Sequence, residues 1–380
     1  MRAWLGLVLC SASLCIVACG DDDGPGTSDD AGRSEGSTPT PPGPTPPPGP
    51  PPPPGPPPPP GPTPPPGPPP PPGPPPPPPP EGAYFPAGSP WYEDVSAAAL
   101  DAESDAVIAF LQSEGFGLGR LQIDFSIEVL VADASTPMRE FETTDDFYDP
   151  DCDHVAVPVP TVGNIEGEDG YECTSDGDCH LIVFHPPMQR LYEMWRANIT
   201  PDGFFGGCLA VWDTSRVYPP SGRGEQCTSA DAAGYPIAPL LFTADEVAAG
   251  EIAHAIRFIL PNERIRDGEY VHPATHGTPA ASGPPDAPPY GTRLRLRADY
   301  PLDSLPNDAA RTVARALQRY GMLLADGGNV ALTAQSDRYT TAKWDGLLEP
   351  RDLESIQPMD FEMVDGGERI ALTLDCVRNP

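Results

Sequence analysis

Four residues in the C-terminal half have types suited to acid–base chemistry: Asp231, His254, His276 and Asp326. Asp231 sits in "CTSADAAGYP" and Asp326 in "LLADGGN", both between small residues that let the backbone turn tightly. Two carboxyls facing each other across a cleft are what glycosidic hydrolysis requires. A histidine beside them, with its pKa lowered by burial, would serve as general base. His254 lies in "AHAIRFIL" and would share a strand face with Ile256 and Phe258. It is either a core histidine or an imidazole at a pocket rim. Arg293, Arg295 and Arg297 alternate with Leu294 and Leu296, so they occupy one face of a strand. They either neutralise neighbouring carboxylates or form a floor that binds an anionic ligand through bidentate guanidinium contacts.

Other patterns carry less. Glu251/His254 and Glu269/His272 are both E-x-x-H, but that ligand spacing needs a helix, and neither segment reads as one. His272 and His276 make an H-x3-H pair with no third ligand, so no metal is assigned. Asp149, Asp151 and Asp153 lack the glycine and glutamate of an EF-hand. Thr243 and Glu246 fit a capping box at a helix start. There is no G-x-S-x-G elbow, phosphate loop, dinucleotide fingerprint or H-E-x-x-H, and no cofactor is expected.

The elements that must hold these groups are mostly strands. "LQIDFSIEVLV" alternates over 121–131, and "HLIVFHPPMQRLYEMWRA" reads as two strands around a Pro-Pro turn. "CLAVWDT", "AHAIRFIL" and "TRLRLRA" are further strands, and "MLLADGGNVALTA" suggests a hairpin at Asp326-Gly327-Gly328. Helices are expected at "SDAVIAFLQSEG", capped by Ser104, and at "NDAARTVARALQRYG", between Asn307 and Gly321. The expected class is mainly β (α+β): an antiparallel barrel or sandwich with a few packed helices over residues 84–380.

Residues 1–18 read as a signal peptide, and "IVAC" resembles a bacterial lipobox, with Cys19 as the lipidated residue. An ordinary secretory signal is the alternative. Residues 19–83 read as a disordered acidic and Pro/Gly-rich linker with glycines every six residues from Gly43 to Gly73. That period excludes a collagen helix and favours a polyproline II stalk with a reach on the order of 120 Å. Such a chain would attach to a membrane by its lipid and display its domain outside the cytoplasm. Cys152, Cys173, Cys179, Cys208, Cys227 and Cys376 would form three disulfides there. The expected pairs are Cys173–Cys179, Cys208–Cys227 and, by remainder, Cys152–Cys376. A net charge of −33 argues against nucleic acid or anionic lipid as partners and favours a self-repelling monomer.

The blocks "TSADAAGYP", "DEVAAGEIAHAIRF", "VHPATH", "PPYGTRLRLRA" and "ALQRYGMLLAD", in this order over 228–326, resemble a family of secreted proteins of actinobacteria and myxobacteria. "YFPAGSPWYEDVS" and the 180–195 hairpin extend the resemblance over most of 84–365. It implies secretion and, for some members, association with carbohydrate, and it supplies no active site. The relatives place an aromatic residue where this chain has His272, while His276 matches. The functional expectation is an envelope-anchored lipoprotein whose domain hydrolyses or cleaves a polysaccharide or other envelope polymer. A non-catalytic module that binds carbohydrate is the alternative.

Overall fold

The computed structural model describes residues 82–175 and 177–379. The signal segment, Cys19 and the proline-rich linker to residue 81 lie outside the described residues, as does Asp176. The described chain is mainly β with three α-helices. Its principal strands are β1 (Ile123–Ile127), β2 (Val129–Val131), β3 (Leu181–His185), β4 (Arg190–Met194) and β5 (Leu209–Asp213). They continue with β6 (Ile256–Leu260), β7 (Arg293–Leu296), β8 (Met322–Gly327), β9 (Leu332–Gln335) and β10 (Phe361–Val364). The helices are α1 (Ser104–Glu114), α2 (Ala244–Ala249) and α3 (Asp308–Arg319).

Six strands form a central sheet in the order β1-β9-β6-β8-β7-β10, and four form a second sheet in the order β5-β4-β3-β2. Neither closes into a barrel, and both are mixed rather than antiparallel. β1 runs parallel to β9, β6 to β8 and β2 to β3. In β3, Ile182 enters the core around the central sheet while Leu181 and Val183 enter a second core with Phe141 and Phe204. Burial on both faces explains the unbroken apolar run "LIVF".

Two expectations of continuity fail for identifiable reasons. The 121–131 run breaks at Glu128, a buried carboxylate held by Arg338 Nε at 3.0 Å. β1 thereby ends in the central sheet and β2 begins in the other. The 322–334 hairpin does not form, because β6 lies between β8 and β9. The connection instead crosses the end of β6, where Gly328 N–H donates to Leu260 O and Ile259 N–H donates to Ala331 O. A Cβ on Gly328 would stand 2.5 Å from the end of the Ile259 side chain, which would have to move aside for any larger residue.

Local chemistry explains the helices. The Asn307 side chain accepts from Ala310 N–H at 2.7 Å and starts α3; Gly321, with φ 71°, ends it. Thr243 and Glu246 form the expected capping box of α2. Ser104 does not cap α1: it is the first helical residue, and its Oγ accepts Met363 N–H and ties the helix to β10.

Three disulfides lock the domain: Cys152–Cys208, Cys173–Cys179 and Cys227–Cys376. The small loop is the expected one. The other two pairings are exchanged relative to expectation because backbone pairing decides which cysteines meet. Asp153 N–H donates to Leu209 O beside Cys152 and Cys208. The short strands Gly224–Glu225 and Val377–Arg378 pair beside Cys227 and Cys376. Three structural disulfides make this an extracytoplasmic domain.

Candidate active site

"CTSADAAGYP" lies against the central sheet. Cys227 anchors one end through its disulfide, and Ala233 N–H donates to Ala325 O on β8. Gly234 has φ 78°, and a Cβ there would stand 2.1 Å from Thr275 Oγ1, so the turn needs glycine. The exit is held by Glu193 of β4, whose Oε1 accepts the N–H groups of Ile237 and Ala238 at 2.8 Å each. Burial pushes the Glu193 carboxyl up to about 7.

The loop carries Asp231 to full burial, with 0 % of the residue exposed. There it meets Arg257 of β6 in a bidentate pair: Nε to Oδ2 at 3.0 Å and Nη2 to Oδ1 at 2.8 Å. Arg257 also donates to Thr333 Oγ1 of β9 at 2.9 Å and to Asp326 Oδ2 of β8 at 3.3 Å. Strand register explains the convergence, since Asp326 stands opposite Ile259, which shares a face with Arg257. Asp231 and Asp326 are therefore brought together, as expected, but around a guanidinium that the sequence reading had passed over.

A second ion pair flanks the first. His180 Nδ1 meets Glu166 Oε2 at 2.6 Å, and His180 Nε2 meets Ala230 O at 3.1 Å, so both ring nitrogens face acceptors. Burial acts to lower the His180 pKa, but Glu166 outweighs it and the imidazole rises to about 9. Burial likewise acts to raise Glu166; His180, and more weakly Arg257, bring it down to about 2. His180 is a cation that holds Glu166, and it leaves no free nitrogen for base work. Ser126 Oγ bridges Glu166 at 3.3 Å and Asp124 Oδ2 at 2.8 Å. Asp124 stands in register with Thr333 across β1 and β9.

The cluster thus holds four carboxyls, Asp124, Glu166, Asp231 and Asp326, and two cations, Arg257 and His180. Each cation holds one carboxyl closely. The other two are the ones whose pKa values rise: Asp124 through burial, and Asp326 well above its usual range through burial and then repulsion from Asp231. Asp326 is also open to solvent, with 23 % of its side chain exposed. Burial, and after it Asp326, raise the pKa of the neighbouring Tyr290 hydroxyl.

The other expected site residues take different places. His276 follows the loop, with Nδ1 on Ala232 O at 2.9 Å, and burial lowers its pKa. His254 lies just before β6 and pairs with Glu246 Oε1 at 3.2 Å. Burial would lower its pKa, yet Glu246 raises it, opposite to what a base needs. The arginine floor does not form. Arg293 donates to Pro90 O and Glu93, and Arg295 to Val95 O and Glu362. Arg297 is 45 % exposed and lies 3.9 Å from Glu362. In so acidic a chain the Arg293 and Arg295 guanidiniums bind the chain's own acceptors.

The His180–Glu166 pair predicts a pH signature. A folded-state pKa raised from 6.5 to about 9 gives stability that is complete below 6.5 and lost as pH rises through about 9. Glu166, lowered from 4.5 to about 2, gives stability complete above 4.5 and lost as pH falls through about 2. The pair therefore contributes fully between pH 4.5 and 6.5. His180→Gln should lower stability near pH 6 by about 3 kcal/mol, with the deficit vanishing toward alkaline pH. Urea midpoints across pH 6–9.5 check this, and parallel curves for wild type and variant would rule it out.

Comparison of the chain with protein-family models, with curated proteins and with solved structures returned no match.

Proposed function

We propose that the chain is an extracytoplasmic hydrolase of a polysaccharide or other envelope polymer, tethered through Cys19 and the proline-rich linker, with Asp326 as its proton donor. One observation carries the reading: within one cluster two carboxyls are driven apart, Asp326 upward through burial and Asp231, and Glu166, against its burial, down to about 2 through His180. Opposed shifts in one cluster separate an acid from a base. In this reading protonated Asp326 gives its proton to the leaving oxygen as the bond breaks. The Glu166 carboxylate, held ionised by His180, supports the developing positive charge, and the Asp326 carboxylate left by the first step takes the proton of the attacking water, which restores the acid. Arg257 keeps Asp231 paired, so that its repulsion holds the proton on Asp326. The assignment replaces the four-residue set Asp231, His254, His276 and Asp326, of which only Asp326 keeps a chemical role. The resemblance of the 228–326 blocks to a family of secreted proteins, some of them carbohydrate-associated, agrees with it.

Asp326→Asn tests the assignment cleanly. The amide resembles the neutral acid in shape, so the fold should hold, while the transferable proton is gone. Reducing-end release from envelope polysaccharides should fall about 10²–10⁴-fold. Wild-type activity should decline on the alkaline side as Asp326 ionises, and Asp231→Asn should shift that limb downward. Undiminished turnover by Asp326→Asn would remove it from the chemistry.

A further inference from the structure

Glu166 lies in the 164–170 loop, which is neither helix nor strand, yet its carboxylate is held within bonding distance of His180. Two backbone bonds tie the loop to neighbouring segments: Glu166 N–H donates to His180 O at 3.0 Å and Gly167 N–H to Ser126 O at 3.3 Å. The chain leaving β9 adds a further grip. Ser336 N–H donates to Ile127 O at 2.7 Å, at the end of β1. The buried Trp344 closes the segment, with its indole N–H on Gln335 O at 2.9 Å and its ring 4.7 Å from that of Phe125.

Between these anchors, Arg338 and Tyr339 meet the loop on either side of Glu166. The Tyr339 hydroxyl donates to Oδ1 of the buried Asn164, just before Glu166. Asn164 in turn spans the loop, since its Nδ2 donates to Glu168 O at 3.1 Å. Arg338 Nη1 donates to Asp169 Oδ1 at 3.0 Å on the other side of Glu166. Asp169 is 96 % exposed, and a pair with so solvated a partner holds little by itself. Glu128 is what fixes Arg338: Nε lies 3.0 Å from Oε1 of a side chain that is only 3 % exposed. The other Glu128 oxygen is buried and receives no donor. Losing the guanidinium would strand this buried carboxylate, so Glu128 retains it. Burial raises the Glu128 carboxyl to about 7, with Arg338 opposing and Asp169 assisting, and above that pH the contact is an ion pair.

We propose that Arg338 and Tyr339 are positioning residues: together they clamp the 164–169 loop and hold the Glu166 carboxylate against His180. Only the effect on turnover rests on the hydrolase reading, so the clamp is measured first without substrate. His180 reports it, because Glu166 is what raises that imidazole to about 9. NMR titration of the histidines in the full chain should place His180 about half a unit lower in Tyr339→Phe and about one unit lower in Arg338→Gln. Removing the guanidinium charge by itself would move His180 upward, so a fall in Arg338→Gln reports displacement of Glu166. Arg338→Lys should recover part of that fall, since an ammonium cannot bridge Glu128 and Asp169 as the guanidinium does. Asn307→Ala, which removes the cap of α3 and bonds to neither segment, should leave His180 unmoved and so controls for general loosening. On any polysaccharide the wild type cleaves, Arg338→Gln should lower kcat about tenfold with KM little changed. An unmoved or raised His180 in both clamp variants would overturn the proposal whatever the activity. A lowered His180 with unchanged kcat would uphold the clamp and remove Glu166 from the chemistry, and a chain without turnover would count against the hydrolase reading alone.

Discussion

Arg257→Met is expected to destabilise the domain by about 3–5 kcal/mol, the usual cost of leaving a buried ionic partner uncompensated. Asp231 is fully buried, and the Arg257 guanidinium binds both of its carboxylate oxygens. Methionine would fill the space but leave those oxygens without donors. Arg257→Lys should recover only part of the loss, because one ammonium cannot reproduce the fork that reaches Asp231, Asp326 and Thr333 together. The double variant Arg257→Met/Asp231→Leu should recover most of it, since an apolar pair of similar volume can replace a buried ion pair at little cost. Chemical denaturation of the three variants measures the series. A single-variant loss below about 1 kcal/mol, or a double variant less stable than Arg257→Met, would mean that the pair does not hold the loop.

This pair also shows where sequence reading stops. "CTSADAAGYP" announces an organised loop through its cysteine, small residues and Gly-Tyr-Pro exit. The partner of Asp231 was visible as the lone charge inside "AIRFIL", which only burial of a paired cation explains. The α2 capping box, the ends of α3 and the 181–194 hairpin were equally legible because they depend on neighbours a few residues apart. Strand order was not. The insertion of β6 between β8 and β9 turns on pairing between residues far apart in the chain, and alternation alone does not say which strand is adjacent. His180 and Glu166 were missed for the same reason. Their bond depends on the fold of the intervening disulfide loop, and His180 alone looks like one more polar residue after Cys179. The arginine strand was seen correctly as one face, and only the tertiary structure supplied the carboxylates that consume it.

The disulfides should rank in stability by the length of chain each closes. Their sequence separations are 149 for Cys227–Cys376, 56 for Cys152–Cys208 and 6 for Cys173–Cys179. Loop-closure entropy then gives contributions of about 5, 4 and 2 kcal/mol in that order. The Cys227–Cys376 and Cys152–Cys208 disulfides share the Asp151 and Asp153 contacts of Thr228 and Arg378, so removing both should cost other than the sum of the two losses. Loss of Cys227–Cys376 should also release the C-terminal strand, whose Arg378 binds Asp153 at 2.9 Å, and slacken the anchor of the Asp231 loop. Paired Cys→Ala variants should therefore show the largest drop in unfolding free energy for Cys227/Cys376, with early amide exchange at 377–379 and at 228–234. If Cys173/Cys179 proved the costliest pair, chain length would not govern the series. If exchange at 228–234 stayed slow without Cys227–Cys376, the Arg257–Asp231 pair alone would be what holds that loop to the sheet.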